Sequence, residues 1–262
     1  MIQLFRKIRQ NLLSQNKFSR YLFYAIGEII LVVIGILIAI QINNLNESRK
    51  IRTVENGYLK QLVIDLKENE ILWKETLDRK QKQLEASHAF LNMRFSKNQD
   101  TIMKIMPHFS NLGTWEDINI NQVTFSEMVS SGNLNIISND SIKIKLLSLD
   151  KLYKAILNRQ DVIEAEYRAR ILEPIMAILN TTNILPQNNK QSKIIKRFLS
   201  QNEMSFYADE FKKDMISLLN DKVFMNGVIG IDFNADTQFK EFIQAKEKVN
   251  NLITLIEKEL EQ

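Results

Sequence analysis

The residues able to do chemistry are few and badly spaced for it. His88 and His108 are the only histidines, and there is no cysteine. Thiolate sites and disulfides are thereby excluded, and two imidazoles without thiolates make a weak transition-metal set. His88 falls on an apolar helical stripe, where a packed, hydrogen-bonded core histidine is expected, and nothing in the spacing places His108 beside it. The acidic pairs Glu164/Glu166 and Glu257/Glu259 are two apart, so on a helix each pair faces different sides and neither makes a carboxylate dyad. Ser130, Ser131 and Gly132 lack the nucleophile-elbow pattern and a base, and no phosphate-cradling glycine loop occurs. The Asn-x-Ser/Thr triplets at Asn46, Asn139 and Asn180 are of a kind that chance supplies in an asparagine-rich chain. The expectation is a protein that is not an enzyme, with no catalytic, cofactor-binding or metal-ligating residue assigned.

Glu28 is the residue out of place. From Leu22 to Ile42 every residue is apolar or small except Glu28 and Gln41. As a helix that run spans roughly 31 Å, about one bilayer hydrocarbon core. It exceeds a typical signal-peptide core and no A-x-A cleavage pattern follows, so it reads as a retained anchor. Phe18, Tyr21, Phe23 and Tyr24 crowd one end, as interfacial aromatics do. On the helix, Glu28 shares one face with Val32, Gly35 and Ala39, and Tyr24 lies one turn back. Gly35 and Ala39 form a small-xxx-small pair, which lets a second helix approach closely. An ionisable side chain inside a span faces a partner rather than lipid. The first reading is a neutral Glu28 hydrogen-bonded to a partner helix in an oligomer, and the alternative is a proton-handling role.

The basic character of the chain is local. Residues 1–20 hold Arg6, Lys7, Arg9, Lys17 and Arg20 and no acid, whereas 45–262 is charge-balanced. A neutral body with interspersed charges is a poor match for a phosphate backbone, so nucleic acid is not an expected partner. The bilayer is. Concentrated Lys and Arg on the N-terminal flank put that end in the cytoplasm and 45–262 outside, by a small margin, since Arg49, Lys50, Arg52 and Lys60 follow the span.

The segment FRKIRQNLLSQNKFSRYLFYAIGEIILVVIGILIAIQINNLNESRK (Phe5 to Lys50) closely resembles the N-terminus of a family of uncharacterised bacterial membrane proteins common in flavobacteria and their relatives. The resemblance rests on the Ala-Ile-Gly-Glu start, the Val-Val-Ile-Gly-Ile-Leu-Ile-Ala core and the Gln-Ile-Asn-Asn exit. The chain departs at Leu45, where the family has Trp. FSEMVSSGNLNIISNDSIKIKLL (Phe125 to Leu147) and NNLITLIEKEL (Asn250 to Leu260) are similar to the family's middle segment and closing helix. The resemblance implies a single-span membrane protein of unknown function and supplies no activity, cofactor or catalytic residue. Because Glu28 lies in the matching motif, it implies that the glutamate belongs there.

The elements that carry these residues read as long helices. The 262 residues include only 7 Gly and 3 Pro, which favours uninterrupted helix over many short strands. Leu59, Leu62, Leu66, Trp73, Leu77, Leu84, His88, Leu91 and Phe95 step close to a 3.5 repeat and predict a helix over 48–97, continuous with the span or not. A short helix is expected over 121–131 with Gly132 as its stop, then a strand or extended run at 133–137. Asn139 to Ser141 should cap a second long helix, which Pro174 should kink or end. Residues 181–190 read as a loop, followed by a third helix over 205–219 and a fourth over 222–261. Gly227 and Gly230 in the fourth mark close packing or a break.

The expected architecture is all-α: a cytoplasmic arm (1–20), a transmembrane helix (21–44), a stalk and first bundle helix (45–97), and the remainder (98–262) completing an antiparallel bundle of about four long helices outside the cytoplasmic membrane. The expected role is a membrane-anchored, non-enzymatic interaction or scaffold protein of the cell envelope, joined to itself or to another membrane protein through the span. The alternatives are an envelope sensor or transducer subunit, or an accessory of a proton-driven complex using Glu28.

Overall fold

The computed structural model describes residues 18–93, 103–113, 115–180 and 201–261. Among them the chain is helical with no strand. Helix α1 (Phe18–Met93) is followed by α2 (Met106–Gly113), α3 (Val123–Ser130) and α4 (Asp140–Tyr167). After these come α5 (Glu173–Ile178), α6 (Gln201–Asn220) and α7 (Lys222–Leu260). The chain divides into two compact units, Met1–Tyr58 and Leu59–Gln262.

In the second unit, α7 runs antiparallel to both α1 and α4. Lys67 pairs with Glu257 at 2.8 Å and His88 with Asp232, so one helix ascends in number as the other descends. Against α4 the pairs are Asn139 with Glu259, Ser148 with Lys248 and Arg159 with Glu241. The middle of this packing is Trp73 of α1, fully buried, its ring 5.7 Å from that of Tyr153 on α4 and 5.6 Å from that of Phe242 on α7. Three bulky rings at one level fill the space between three helices and fix their register. A second core lies at the far end, where Phe90, Phe109, Phe211 and Phe224 stack edge to face or tilted. It brings α2 and α6 onto the long helices.

Local signals set the helix ends. The Asn139 side chain accepts from the amides of Ser141 and Ile142, and Asp221 accepts from Phe224 at 2.7 Å, so α4 and α7 both start on capped amides. Gly132 stops α3 in the left-handed region at φ 75°.

Four expectations need correction. Asn133–Ile136 is a turn of 3-10 helix rather than a strand, because Gly132 turns the chain and Asn139 immediately caps the next helix. Pro174 does not end its helix, and the distortion there takes the form of a widened turn just before it. The backbone widens into a π turn at Arg168–Leu172, with the Glu173 amide donating to the Arg168 carbonyl, and the helix resumes through α5. Pro174 has no N–H for the Arg170 carbonyl, and that oxygen lies instead against Gly227 of α7. A Cβ added at Gly227 would sit 2.8 Å from it, so Gly227 marks close packing, whereas Gly230 has open space around it. The third helix starts earlier than expected, at Gln201. Finally, His88 is exposed at 54% and does not pack in the core. Ser87 and Ala86 take the buried positions there, because the inward stripe rotates by one residue between Trp73 and Phe90. The expected loop at 181–190 and the end of the first bundle helix at 94–97 lie outside the described residues.

Candidate functional site

The sequence-derived contact face lies on α1 within the first unit. Glu28 is half-buried and lines a shallow groove with Val32, Ala25, Ile29 and Val33. Val32 is 55% exposed. A Cβ at Gly35 meets nothing within 4 Å, and Ala39 is exposed. Glu28, Val32, Gly35 and Ala39 therefore share an open helix face. Tyr24 is on the same helix, but its side chain lies outside the described set, as does that of Arg20. Arg6, Lys7, Arg9 and Lys17 precede the described residues.

The whole apolar run is open in the same way. Between Leu22 and Ile42, thirteen large apolar side chains are 44–70% exposed. Its most apolar window has a mean hydropathy of 2.7, with none of it buried, and the helix is long and apolar enough to cross a membrane. At roughly 1 kcal/mol or more apiece, removing these side chains from water is worth on the order of 10–20 kcal/mol. A water-exposed surface of that kind has no counterpart on an ordinary soluble monomer.

A second feature, which the helical stripes did not reveal, is a buried polar seam. Asp65 on α1 is 5% exposed and accepts from the Thr124 amide at 2.9 Å. Thr124 is in the first turn of α3, whose own N-cap residue, Gln122, makes no side-chain cap. Asp65 therefore caps α3 from another helix, a carboxylate placed at the positive end of the helix dipole. One turn on, Asn69 pairs with the backbone of Asn121 in both directions: its Nδ2 donates to the carbonyl at 2.7 Å, and its Oδ1 accepts from the amide at 2.8 Å. The Asn121 side chain donates to Glu68 at 2.6 Å and accepts from the Val123 amide. Above this, Trp73 Nε1 donates to the Tyr153 hydroxyl at 3.5 Å, and burial pushes the Tyr153 hydroxyl up to about 12. All these groups are satisfied by one another. The seam holds a loop and a short helix onto α1 and presents no reactive atom. Its signal in the sequence was polar residues at inward positions, Asp65, Asn69 and Thr76, where the apolar repeat lapses.

His88 Nε2 meets Asp232 Oδ1 at 2.5 Å on the surface, joining α1 to α7. Among the described residues, no group of three His, Asp or Glu stands close enough to hold a metal ion.

The model of a family of unknown function, DUF6090, matches residues 28–171. The chain belongs to this family. The DUF6090 match begins at Glu28 and carries through the open face, the polar seam, α4 and into the π turn. It contains the Phe125–Leu147 segment whole and the N-terminal motif from the glutamate onward, and it does not extend to α6 or α7. No curated protein and no solved structure matches the chain.

Proposed function

We propose that this DUF6090 protein is a membrane-anchored, non-enzymatic interaction protein of the bacterial cell envelope. The observation that carries the reading is the exposed apolar length of α1, thirteen large side chains between Leu22 and Ile42. Such a surface needs hydrocarbon around it, and its length fits one crossing of the inner membrane. The basic arm, Arg6 to Arg20, favours a cytoplasmic N-terminus, with Leu59–Gln262 on the periplasmic side as an antiparallel bundle of about four long helices. Within the bilayer the face of Glu28, Val32, Gly35 and Ala39 takes a second helix, from another copy or from another membrane protein. The glutamate hydrogen-bonds across that contact. The bundle itself offers a helical surface to an envelope partner.

The test is fractionation of cells expressing the full chain, with alkaline carbonate extraction and reporter fusions at each end. The expected result is a chain that resists carbonate and carries an active periplasmic reporter at its C-terminus. Release by carbonate would overturn the anchor, and a cytoplasmic C-terminal reporter would reverse the orientation.

A further inference from the structure

A cleft in the Leu59–Gln262 unit lies apart from both the open face and the polar seam. It sits among α1, α4 with its π turn, α7 and the segment that begins at Trp115. Its volume is about 30 Å³, and a second recess of about 60 Å³ adjoins it, sharing Lys80, Gln83 and Trp115. By the roughly 10–15 Å³ that one water-sized group requires, the two together admit a molecule of a few heavy atoms.

Three donors of the cleft lack a charged acceptor among the described residues. Lys80 is half-buried, with Nζ 3.1 Å from Gln83 Oε1 and 5.1 Å from the centroid of the Trp115 ring. Both contacts are with neutral groups, and among the described residues no carboxylate pairs with this ammonium. Burial, and secondarily the neighbouring Arg79 charge, hold the Lys80 amine down to about 8. Tyr167 is 5% exposed and Gln238 4% exposed, and both line the cleft. Among the described residues the Tyr167 hydroxyl and the Gln238 Nε2 have no hydrogen-bond partner. Buried polar groups are normally paired, so two orphans on residues that line one cavity, beside a cation with only neutral contacts, call for an acceptor that carries charge. At the rim, Glu166 and Arg170 are both exposed and offset one another, which leaves a single positive charge inside. The remaining lining is Asn234 and an apolar wall that includes the Trp115 ring, Ile163, Ile171 and Ile231. Gly230 also lines it, and a Cβ added there meets no atom within 4 Å.

We propose that this cleft is a binding site for a small monocarboxylate. Its oxygens accept from Lys80, Tyr167 and Gln238, and its short aliphatic body lies on Trp115 and Ile231. One interior charge matches a monoanion better than a phosphate, and the apolar wall favours a carbon tail over a bare inorganic ion. Water would satisfy the two neutral donors and leave the ammonium uncompensated. The site stands independently of the membrane reading, since every group in it belongs to the Leu59–Gln262 unit.

The full chain in detergent micelles, labelled with 5-fluorotryptophan, gives two fluorine signals, one for each of its 2 Trp. Trp115→Phe assigns them. Titration with sodium butyrate should move the Trp115 signal saturably, with half-saturation at millimolar concentration or below, and leave the Trp73 signal in place. Sodium chloride at equal ionic strength should move neither. Lys80→Met and Gly230→Leu should each weaken the response at least tenfold while the helical circular dichroism stays that of the parent. Gly230→Leu keeps Lys80 and blocks the space, so it guards against a loss of fold in the lysine variant. No saturable shift up to 100 mM butyrate, an equal shift with chloride, or an undiminished response in Lys80→Met would overturn the proposal.

Discussion

Asp65 shows how one polar side chain fixes a local topology. Its carboxylate holds the Thr124 amide at the start of α3, beside the Asn121 side chain that holds the Val123 amide. Asp65→Ala leaves a buried amide without an acceptor, which costs about 1–3 kcal/mol. The expected outcome is a lower urea midpoint with an unchanged m-value, because α3 loosens while the long helices stay packed. An unchanged midpoint would show that water substitutes for the carboxylate. Glu28 lies half-buried on the face of α1 that it shares with Val32, Gly35 and Ala39. Glu28→Gln keeps its size and hydrogen bonding but cannot carry a proton. Under the contact reading it should leave the crosslinked oligomer distribution as in the parent, whereas Glu28→Leu should weaken it. A function lost in Glu28→Gln with oligomers intact would move the residue to proton handling.

At the scale of the element, α1 carries two different surfaces on one helix. Its first part exposes apolar side chains all round, while from Leu59 onward a single stripe is buried, including Leu59, Leu62, Leu66, Trp73 and Phe90. A helix apolar on every side is built for hydrocarbon or a complete protein coat, and a striped one for a bundle. Gly35 leaves the backbone bare on that first surface. Gly35→Leu should reduce self-association in detergent by several-fold, read by analytical ultracentrifugation, since bulk there separates the backbones. An unaltered oligomer size would remove Gly35 from the interface. Elsewhere a glycine works within the fold. Gly227 lets α7 approach the π turn, and the carbonyl that Pro174 cannot bond is covered by that approach.

For the whole molecule, the buried titratable groups predict an alkaline maximum in stability. Lys80 is held down to about 8, against 10.5 in the unfolded chain. Between those values the unfolded state binds the extra proton, so stability rises with pH, by on the order of 2 kcal/mol. Burial raises Tyr153 and Tyr167 to about 12, against 10.0 unfolded. Above pH 10 the unfolded chain sheds these protons first, and stability falls. Chemical denaturation across pH 7–11 should therefore show a maximum near pH 10. In Lys80→Met the rise between 8 and 10 should disappear while the fall remains. A rise that survives the substitution would assign it to another group.

The chain order of hydrophobic and capping residues determined the helices themselves. Uniform apolarity from Leu22 to Ile42, stripes at 3.5 to 3.6 residues, Asn139 as a cap and Gly132 as a stop are local signals, and local interactions decide them. Which polar residues would be buried was not local. Asp65 and Asn69 find their partners only when α3 and Asn121 are placed beside them. His88 read as core because a strict repeat was carried past Trp73, yet a straight helix drifts against such a repeat and turned it outward to Asp232. Pro174 read as a kink or an end, and the form it takes was not local, because the π turn before it packs against Gly227 of a helix some fifty residues later. The cleft at Lys80 joins residues from four separate segments, and no spacing within one segment encodes it. The sequence by itself determined the helical elements and the open apolar run. Only the tertiary structure decided which charges lost their water, because desolvation depends on what the other helices bring alongside.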